Sequence, residues 1–430
     1  MNRKILKLSI PSILANITVP LVGMVDIAVA GRLGSAAAIG AIAIGTMIFD
    51  ILYWNFGFLR VGTGGLAAQA YGRRDFKDAI KVFSQGVSTS IFISTILIAF
   101  QYLLLEGAFL IIDCSGEVEA YSREYFKIRI WAAPATLSLF VFKGWFIGMQ
   151  NTISPMVTDI VVNVVNVVLS IYFALYAGMG FAGVALGTLI AQYTGLLVAI
   201  VITWVYYKKL FRYFNFKESA KLKEIAALFK LNGNLFLRSL CFMAIYAGFT
   251  TFSARYGDTL LAVSSILMKL MMLFSYLVDG FAYAGEALAG KYIGAKDYRL
   301  LRKAVRLLFV WSLGIGVVST FAYFFLGDWM VAMVTNTQDV RGAASPFMFW
   351  LLIMPIVSCA AFMWDGIFIG ATASVTIRNC MFYSVIAFYV FYFAFEGVLG
   401  IQALWLGYFA HLAVRTIFLT FKYFTTFAKL

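Results

Sequence analysis

The chain has 430 residues, of which 62% are hydrophobic and only 13% are charged, and it carries a net charge of +14 at pH 7. Soluble globular domains average about 25% charged residues, so this composition argues against a soluble fold. The basic residues lie in short segments between apolar runs, which indicates membrane topology and argues against a nucleic-acid partner.

Apolar runs of about twenty residues recur from end to end, which is long enough for membrane-spanning helices and too long for barrel strands. They predict an all-α integral membrane protein with twelve transmembrane helices, at 8–31, 37–60, 79–105, 124–149, 157–178, 181–207, 226–252, 259–285, 303–326, 345–371, 376–396 and 400–424. The first helix has a basic start but no small-residue cleavage signal, so it is predicted to be a transmembrane helix rather than a signal peptide.

Lysine and arginine concentrate in alternate segments, for example Arg73, Arg74, Lys77, Lys208, Lys209, Lys296 and Arg299. The opposite segments hold acidic residues such as Glu117, Glu119 and Asp339. The positive-inside rule then places both termini in the cytoplasm. We expect a multi-pass protein of the plasma membrane, the inner membrane of a bacterium.

An internal repeat predicts the domain organisation. The segment "GWFIGMQNT" (144–152) aligns with "GIFIGATAS" (366–374), and "AQAYGRRD" (68–75) aligns with "GKYIGAKD" (290–297) at the same offset. Near the start of each half, "KLSIPSIL" (7–14) matches "KLNGNLFL" (230–237). Six-helix halves begin and end on the same side of the membrane. We therefore predict an N-terminal lobe at 1–215 and a C-terminal lobe at 216–430, related by a pseudo-twofold axis along the membrane normal.

These motifs identify a family resemblance. The chain resembles the multidrug and toxic compound extrusion (MATE) family, most closely its DinF-like branch, through "PLVGMVD", "FGFLRVGTGGLAAQAYGRRD", "NVVNVVLS", "LVDGFAYAGEALAGKYIGAKD" and "WDGIFIGAT", which cover nearly the whole chain in order. The resemblance implies two six-helix lobes and ion-coupled export of chemically varied, often cationic and apolar, compounds. It does not identify the substrate.

Asp26 is a carboxylate in the middle of the first predicted helix. Such a group costs about 2.5–3.5 kcal/mol at the bilayer centre on insertion scales, so it usually faces a cavity or a partner. Its counterpart in the repeat is Phe249, so the carboxylate is not required by the repeat itself. Pro20, six residues upstream, removes a backbone hydrogen bond and predicts a helix kink. The resemblance implies that Asp26 is the coupling residue; the alternative is a carboxylate hydrogen-bonded between helices.

The fifth predicted helix supplies polar partners. Asn163 and Asn166 are three residues apart and are predicted to share a helix face. The resemblance adds Thr188 to the same site. It also implies a carboxylate one turn after the asparagine, where this chain has Ser170. A neutral hydroxyl weakens a sodium site and favours proton coupling, although both H⁺ and Na⁺ stay open. The alternative for Asn163 and Thr188 is ordinary interhelical hydrogen bonding.

The second half carries Asp279, Glu286 and Asp365 in or near its spans. They predict a second-lobe polar cluster that binds cationic substrate or takes part in gating. The alternative is a buried polar network that ties helices together. Asp50 and Lys269 form a candidate cleft pair, with snorkelling or separate local partners as the alternative. Lys143 is predicted to snorkel.

We interpret the chain as a secondary active exporter, and not as an enzyme. It is expected to act as a monomer in the lipid bilayer on small organic substrates, with no cofactor beyond the coupling ion and no metal beyond Na⁺. One alternative is a flippase for lipid-linked or glycan precursors, which tends to line its cleft with several cations, whereas the spans here carry mostly acids. A membrane transferase acting on polyprenyl lipids calls for acidic motifs such as DDxxD, and the sequence has none.

Overall fold

The computed structural model describes residues 1–32, 36–112, 114–214, 221–335 and 338–426. The description covers the backbone but not the side chains of 21, 26, 27, 30, 31, 36–39, 222–228, 230 and 231. Every regular element within these ranges is helical, which confirms the predicted all-α class.

The described part of the first half contains nine α-helices. They are α1 (Asn2–Arg32), α2 (Ala36–Trp54), α3 (Phe58–Arg73), α4 (Phe76–Ala99), α5 (Gln101–Phe109), α6 (Gly116–Arg129), α7 (Ala133–Gly148), α8 (Ile153–Ile171) and α9 (Gly180–Tyr207). Short 3₁₀ turns at Asn55–Gly57 and Ile130–Ala132 join α2 to α3 and α6 to α7. A π-helical turn, Tyr172–Tyr176, extends α8, and a 3₁₀ segment, Lys208–Tyr213, extends α9.

The second half contains seven described α-helices. They are α10 (Leu222–Ala254), α11 (Asp258–Gly294), α12 (Tyr298–Val334), α13 (Gln338–Ala344), α14 (Met348–Gly370), α15 (Ser374–Leu399) and α16 (Ile401–Thr426). A 3₁₀ turn at Ser345–Phe347 joins α13 to α14. Across the described ranges, twelve helical stretches are long and apolar enough to cross a membrane, which confirms the predicted number.

The chain divides into two compact units. The N-terminal unit is Leu14–Asn232, and the C-terminal unit combines Met1–Ile13 with Gly233–Leu430. Helix α1 therefore contributes to both units. The predicted lobes at 1–215 and 216–430 stay a prediction.

Residues 1–13 are built into the C-terminal unit by specific contacts. The indole of Trp311 donates a hydrogen bond to Oδ1 of Asn2 at 3.3 Å, and the hydroxyl of Tyr292 donates to Sδ of Met1 at 3.6 Å. Gly280 lies so close to α1 that an added Cβ would be 2.9 Å from the carbonyl oxygen of Ser9. The beginning of α1 is thus packed against α11 and α12.

Helix α3 corrects a predicted boundary. The second span is predicted to end at residue 60, but the helix continues through the glycine-rich stretch to Arg73. The glycines are tolerated because they let helices approach closely. A methyl group on Gly144 of α7 would overlap the carbonyl oxygen of Arg60, and one on Gly148 would lie 2.7 Å from that of Gly64.

The C-terminal unit repeats this helix crossing. A methyl group on Gly366 of α14 would overlap the carbonyl oxygen of Ala282, and one on Gly370 would overlap that of Glu286. All four contacting pairs match across the halves at the offset found in the sequence. The repeat is therefore present in the packing of each unit and not only in the motifs.

The turns repeat as well. In the described chain, the non-glycine residues with positive φ are Arg74, Gln150, Lys296 and Thr372, and they form two pairs, each separated by 222 positions. Left-handed backbone is strained for residues with a Cβ, so its recurrence at matched positions indicates a conserved turn geometry within the chain. Both aspartates that follow Arg74 and Lys296 cap the next helix: their side chains accept a backbone N–H three residues later, at 3.0 and 2.9 Å.

Candidate functional site

The predicted polar residues of α8 and α9 form a buried hydrogen-bonded pair. Nδ2 of Asn166 donates to Oγ1 of Thr188 at 2.8 Å, and that hydroxyl donates to the carbonyl oxygen of Val184 at 3.0 Å. Asn166 and Thr188 are both buried. The structure thus brings together two of the residues proposed for the coupling site.

Glycines on α9 set the distance between these helices. A Cβ on Gly187 would lie 2.7 Å from the backbone nitrogen of Ser170 and 2.8 Å from its Oγ. A Cβ on Gly183 would lie 2.6 Å from the nitrogen of Ala174, within the π-helical turn. Such turns occur frequently at functional sites, and this one begins two residues after Ser170. The close approach places Ser170 against the same helix that carries Thr188.

Two oxygens at this site have spare hydrogen-bonding capacity. Oδ1 of Asn166 and Oγ of Ser170 are buried and have no hydrogen-bond partner among the described side chains and backbone groups. Leaving a buried polar atom unpaired costs about 1–3 kcal/mol, so such atoms point to a further partner. Amide and hydroxyl oxygens can coordinate a hard cation or hydrogen-bond a protonated carboxyl group.

Asn163 has a different neighbour. Its Nδ2 donates to Oγ1 of Thr18 on α1, and that hydroxyl donates to the carbonyl oxygen of Ala15 at 2.6 Å. Asn163 therefore connects α8 to α1, whereas Asn166 connects α8 to α9. The structure supports the interhelical hydrogen bonding that was the alternative interpretation for Asn163.

Asp26 and Pro20 both lie on α1, which is helical from Asn2 to Arg32. The side chain of Asp26 lies outside the described part of the structure. Its coupling role and the predicted kink at Pro20 stay predictions.

The predicted second-lobe cluster has a composition that the sequence analysis missed. Oδ2 of Asp365, on α14, accepts hydrogen bonds from Nη2 of Arg238 on α10 at 2.9 Å and from Nη2 of Arg415 on α16 at 2.6 Å. Arg415 is 1% exposed and Asp365 is 7% exposed. The partners of this acid are thus arginines, and the group ties α10, α14 and α16 together.

The other two predicted acids of this cluster lie on α11. Glu286 is fully buried, and Asp279 is half-buried seven residues before it. The described ion pairs of Asp365 are with the two arginines. Grouping the three acids into one cluster therefore stays a prediction.

The structure places the other charged residues singled out in the sequence, Lys143, Asp50 and Lys269, in different settings. Lys143 does not only snorkel, because its Nζ forms an ion pair with Oδ2 of Asp159 on α8 at 2.6 Å. Asp50 is exposed on α2 of the N-terminal unit, and Lys269 is exposed on α11 of the C-terminal unit. Their pairing stays a prediction.

A signal for the two arginines was available in the sequence. Arg238 lies in "LFLRSLCF" and Arg415 in "HLAVRTIFL", both inside predicted spans. A charged side chain within a span is rare and is usually paired, so each arginine is a candidate site residue on sequence grounds, beside the acids.

Comparison with known proteins agrees with the repeat and the fold. The MatE family model matches residues 11–172 and again residues 235–396, one match in each half. The chain is 31% identical over 408 residues to DNA damage-inducible protein F of Escherichia coli (strain K12), which covers 95% of this chain and 89% of the relative. It is 25% identical over 341 residues to multidrug export protein MepA of Staphylococcus aureus (strain MSSA476), covering 77% of this chain and 73% of that protein.

Solved structures share the fold over almost the whole chain. An outward-facing multidrug resistance transporter of the MATE family has a TM-score of 0.88 at 18% identity, covering 99% of this chain and 96% of the other. A MATE structure in the bent conformation has a TM-score of 0.89 at 17% identity, covering 100% and 96%. The family model, the relatives and the twelve-helix fold together show that this chain belongs to the MatE family of membrane transporters.

Proposed function

We propose that the chain is a secondary active exporter of organic, often cationic, compounds, driven by antiport of protons or sodium ions, with Asp26 as the coupling residue. Family membership and a relative named as a multidrug export protein support export. The unpartnered oxygens of Asn166 and Ser170 support an ion or proton site in the N-terminal unit.

The assignment of Asp26 as the coupling residue rests on how α1 and α8 are aligned along their length. The hydrogen bond between Thr18 and Asn163 fixes one point of contact between these helices. They are the first and fifth spans, so they cross the membrane in the same direction. Asp26 lies eight residues beyond Thr18, and Ser170 lies seven beyond Asn163, which at about 1.5 Å per residue corresponds to nearly the same depth. The carboxylate is therefore expected at the level of the unpartnered oxygens.

The mechanism follows from alternating access. When Asp26 is charged, the site attracts a proton or a cation. When Asp26 is neutralised, its charge no longer constrains the shape of α1. Ser170 leaves Asp26 as the main negative charge expected at the site, which favours a proton over sodium. Neutralisation that reshapes α1 would release substrate to the outside.

The test is export of a fluorescent organic cation from proteoliposomes under an imposed proton or sodium gradient. We expect Asp26→Asn to abolish gradient-driven export while the protein still folds and inserts. Asp78→Asn is the matched control, because Asp78 is an acid of the same unit in a surface ion pair with Arg73. Full gradient-driven activity in Asp26→Asn contradicts the assignment.

The flippase alternative is kept because of one observation. The acidic character of the spans argued against a flippase, and the partly buried Arg238 and the buried Arg415 weaken that argument. The same proteoliposomes, loaded with a fluorescent lipid-linked sugar, distinguish the two functions, since a flippase moves the lipid and an exporter moves the soluble cation.

A further inference from the structure

The cluster of Arg238, Asp365 and Arg415 has an excess of positive charge and of hydrogen-bond donors. Two guanidinium groups share one carboxylate oxygen, and this leaves one net positive charge in the cluster. The phenyl ring of Phe242 lies 4.9 Å from the guanidinium of Arg238 and 5.0 Å from that of Arg415, so it offsets part of this charge. A ring face accepts an N–H group only weakly, so it does not replace an oxygen acceptor.

The unused donors point to a missing acceptor. Each arginine has five N–H groups, and the described hydrogen bonds use one from each. Nε of Arg238 and Nε of Arg415 are buried without a partner among the described groups. Arg415 is almost fully buried, so the donors that a ligand can reach are those of Arg238. Buried polar atoms without a partner are uncommon in proteins, which indicates a further ligand.

The donor type and location define the ligand. A guanidinium presents parallel N–H groups that fit the two oxygens of a carboxylate or phosphate. All three charged residues lie on membrane-spanning helices, and the exposed side chains beside Arg238 are apolar (Phe236, Leu237 and Leu240), so a ligand with an apolar body fits there. Arg238 keeps 16% of its side chain exposed and Arg415 only 1%, so the ligand reaches Arg238 while Arg415 holds Asp365 in place.

We propose that Arg238, supported by the Asp365–Arg415 pair, binds the oxyanion group of an amphiphile in the C-terminal unit. This site lies in a different unit from the proposed coupling site and does not depend on ion coupling. The oxyanion is either the carboxylate of a free amphiphile or the phosphate of an anionic membrane lipid, and the chemistry recognised is the same. Phosphatidylcholine carries its own cation beside the phosphate and therefore serves as the background lipid.

The first test uses the full chain in nanodiscs of phosphatidylcholine, with sodium decanoate as the probe. Decanol and methyl decanoate carry a chain of the same length and lack the negative charge. We expect decanoate to bind saturably and to raise the thermal unfolding temperature of the wild-type protein, and the other two to do neither. Equal effects of all three probes overturn the proposal without the need for any variant.

Substitutions then assign the site. Arg238→Gln is expected to weaken decanoate binding at least tenfold, which corresponds to about 1.4 kcal/mol. Arg238→Lys keeps the positive charge but loses the parallel N–H groups of the guanidinium, so it should give an intermediate affinity. Arg255→Gln is the matched control, because Arg255 is an exposed arginine of the same unit whose guanidinium stacks on Phe252; it should bind as the wild type does.

A second measurement distinguishes the sources of the oxyanion. Native mass spectrometry of protein from mixed nanodiscs compares retained phosphatidylglycerol with retained phosphatidylcholine. Arg238-dependent retention of phosphatidylglycerol assigns the site to a lipid phosphate, and Arg238-dependent decanoate binding alone assigns it to a free carboxylate. If neither ligand depends on Arg238, the arginine has a structural role only and the proposal is wrong.

Discussion

Replacing Asp365 by asparagine should be among the most destabilising single changes in the C-terminal unit. The substitution removes the carboxylate shared by Arg238 and Arg415 and leaves two guanidinium groups without a counter-charge. Removing one partner of a buried ion pair costs about 3–5 kcal/mol, because the remaining charge stays buried. Arg415 cannot turn to water, since it is 1% exposed. We therefore expect a loss of about 3–5 kcal/mol in the free energy of unfolding.

A second ion pair of the same length provides the control. Nζ of Lys143 lies 2.6 Å from Asp159, the same distance that separates Arg415 from Asp365, but these side chains are 22% and 27% exposed. Partly exposed pairs contribute about 0.2–1 kcal/mol. Asp159→Asn should therefore cost no more than about 1 kcal/mol. Because the two ion pairs have the same N–O distance, the difference between the two costs measures the effect of burial.

The assay is reversible unfolding from mixed micelles, in which added dodecyl sulfate unfolds the protein and tryptophan fluorescence reports the fraction folded. Arg238→Gln should lie between the two variants, because the Asp365–Arg415 pair survives. Costs for Asp365→Asn and Asp159→Asn that agree within about 0.5 kcal/mol would refute the reasoning, since buried and exposed pairs would then behave alike.

Two further changes test the helix packing and a surface pair. Gly187→Ala should cost about 1–3 kcal/mol in the same unfolding assay, because its methyl group would lie 2.7 Å from the backbone nitrogen of Ser170. Gly314→Ala is the control: its methyl group would meet no neighbouring atom within 4 Å, so the change should be neutral or stabilising. Equal costs for the two variants would contradict the close packing of α8 and α9. The hydrogen bond from Arg123 holds the pKa of Glu106 below its ordinary value, so the stabilisation by this pair should be present at neutral pH and disappear as the pH falls through that lowered pKa. The unfolding temperatures of the wild type and of Glu106→Gln should therefore converge in acid. A difference between them that grows in acid would contradict this prediction.

The sequence predicted the parts of the molecule that follow from local patterns. Hydrophobic length predicted the twelve spans. The repeated motifs aligned the segments in which the structure shows matched turns, at Arg74 and Lys296, and matched crossings, at Gly144 and Gly366. Span length and motif similarity are predictable because they depend on residues that lie close together in the chain.

The features that were missed depend on contacts between distant segments. Arg238 and Arg415 are 177 positions apart, and each looks isolated until α14 brings Asp365 between them. Likewise, Lys143 could be read as snorkelling because nothing local indicated Asp159 as its partner. The second span was predicted to end at residue 60, and the packing that accompanies the continuation of α3 to Arg73, such as that of Gly144 against Arg60, joins residues far apart in the chain.

The attachment of residues 1–13 to the C-terminal unit has a consequence for biosynthesis. These residues are translated before the rest of the C-terminal unit, yet their neighbours include Gly280, Tyr292 and Trp311. During translation, the early part of α1 must remain without its final contacts until most of the chain has been made. The N-terminal unit can complete its packing before then, but the C-terminal unit cannot be finished from its own later residues alone. A bulky group attached to residues 1–13 should therefore impair the half of the protein that is translated last.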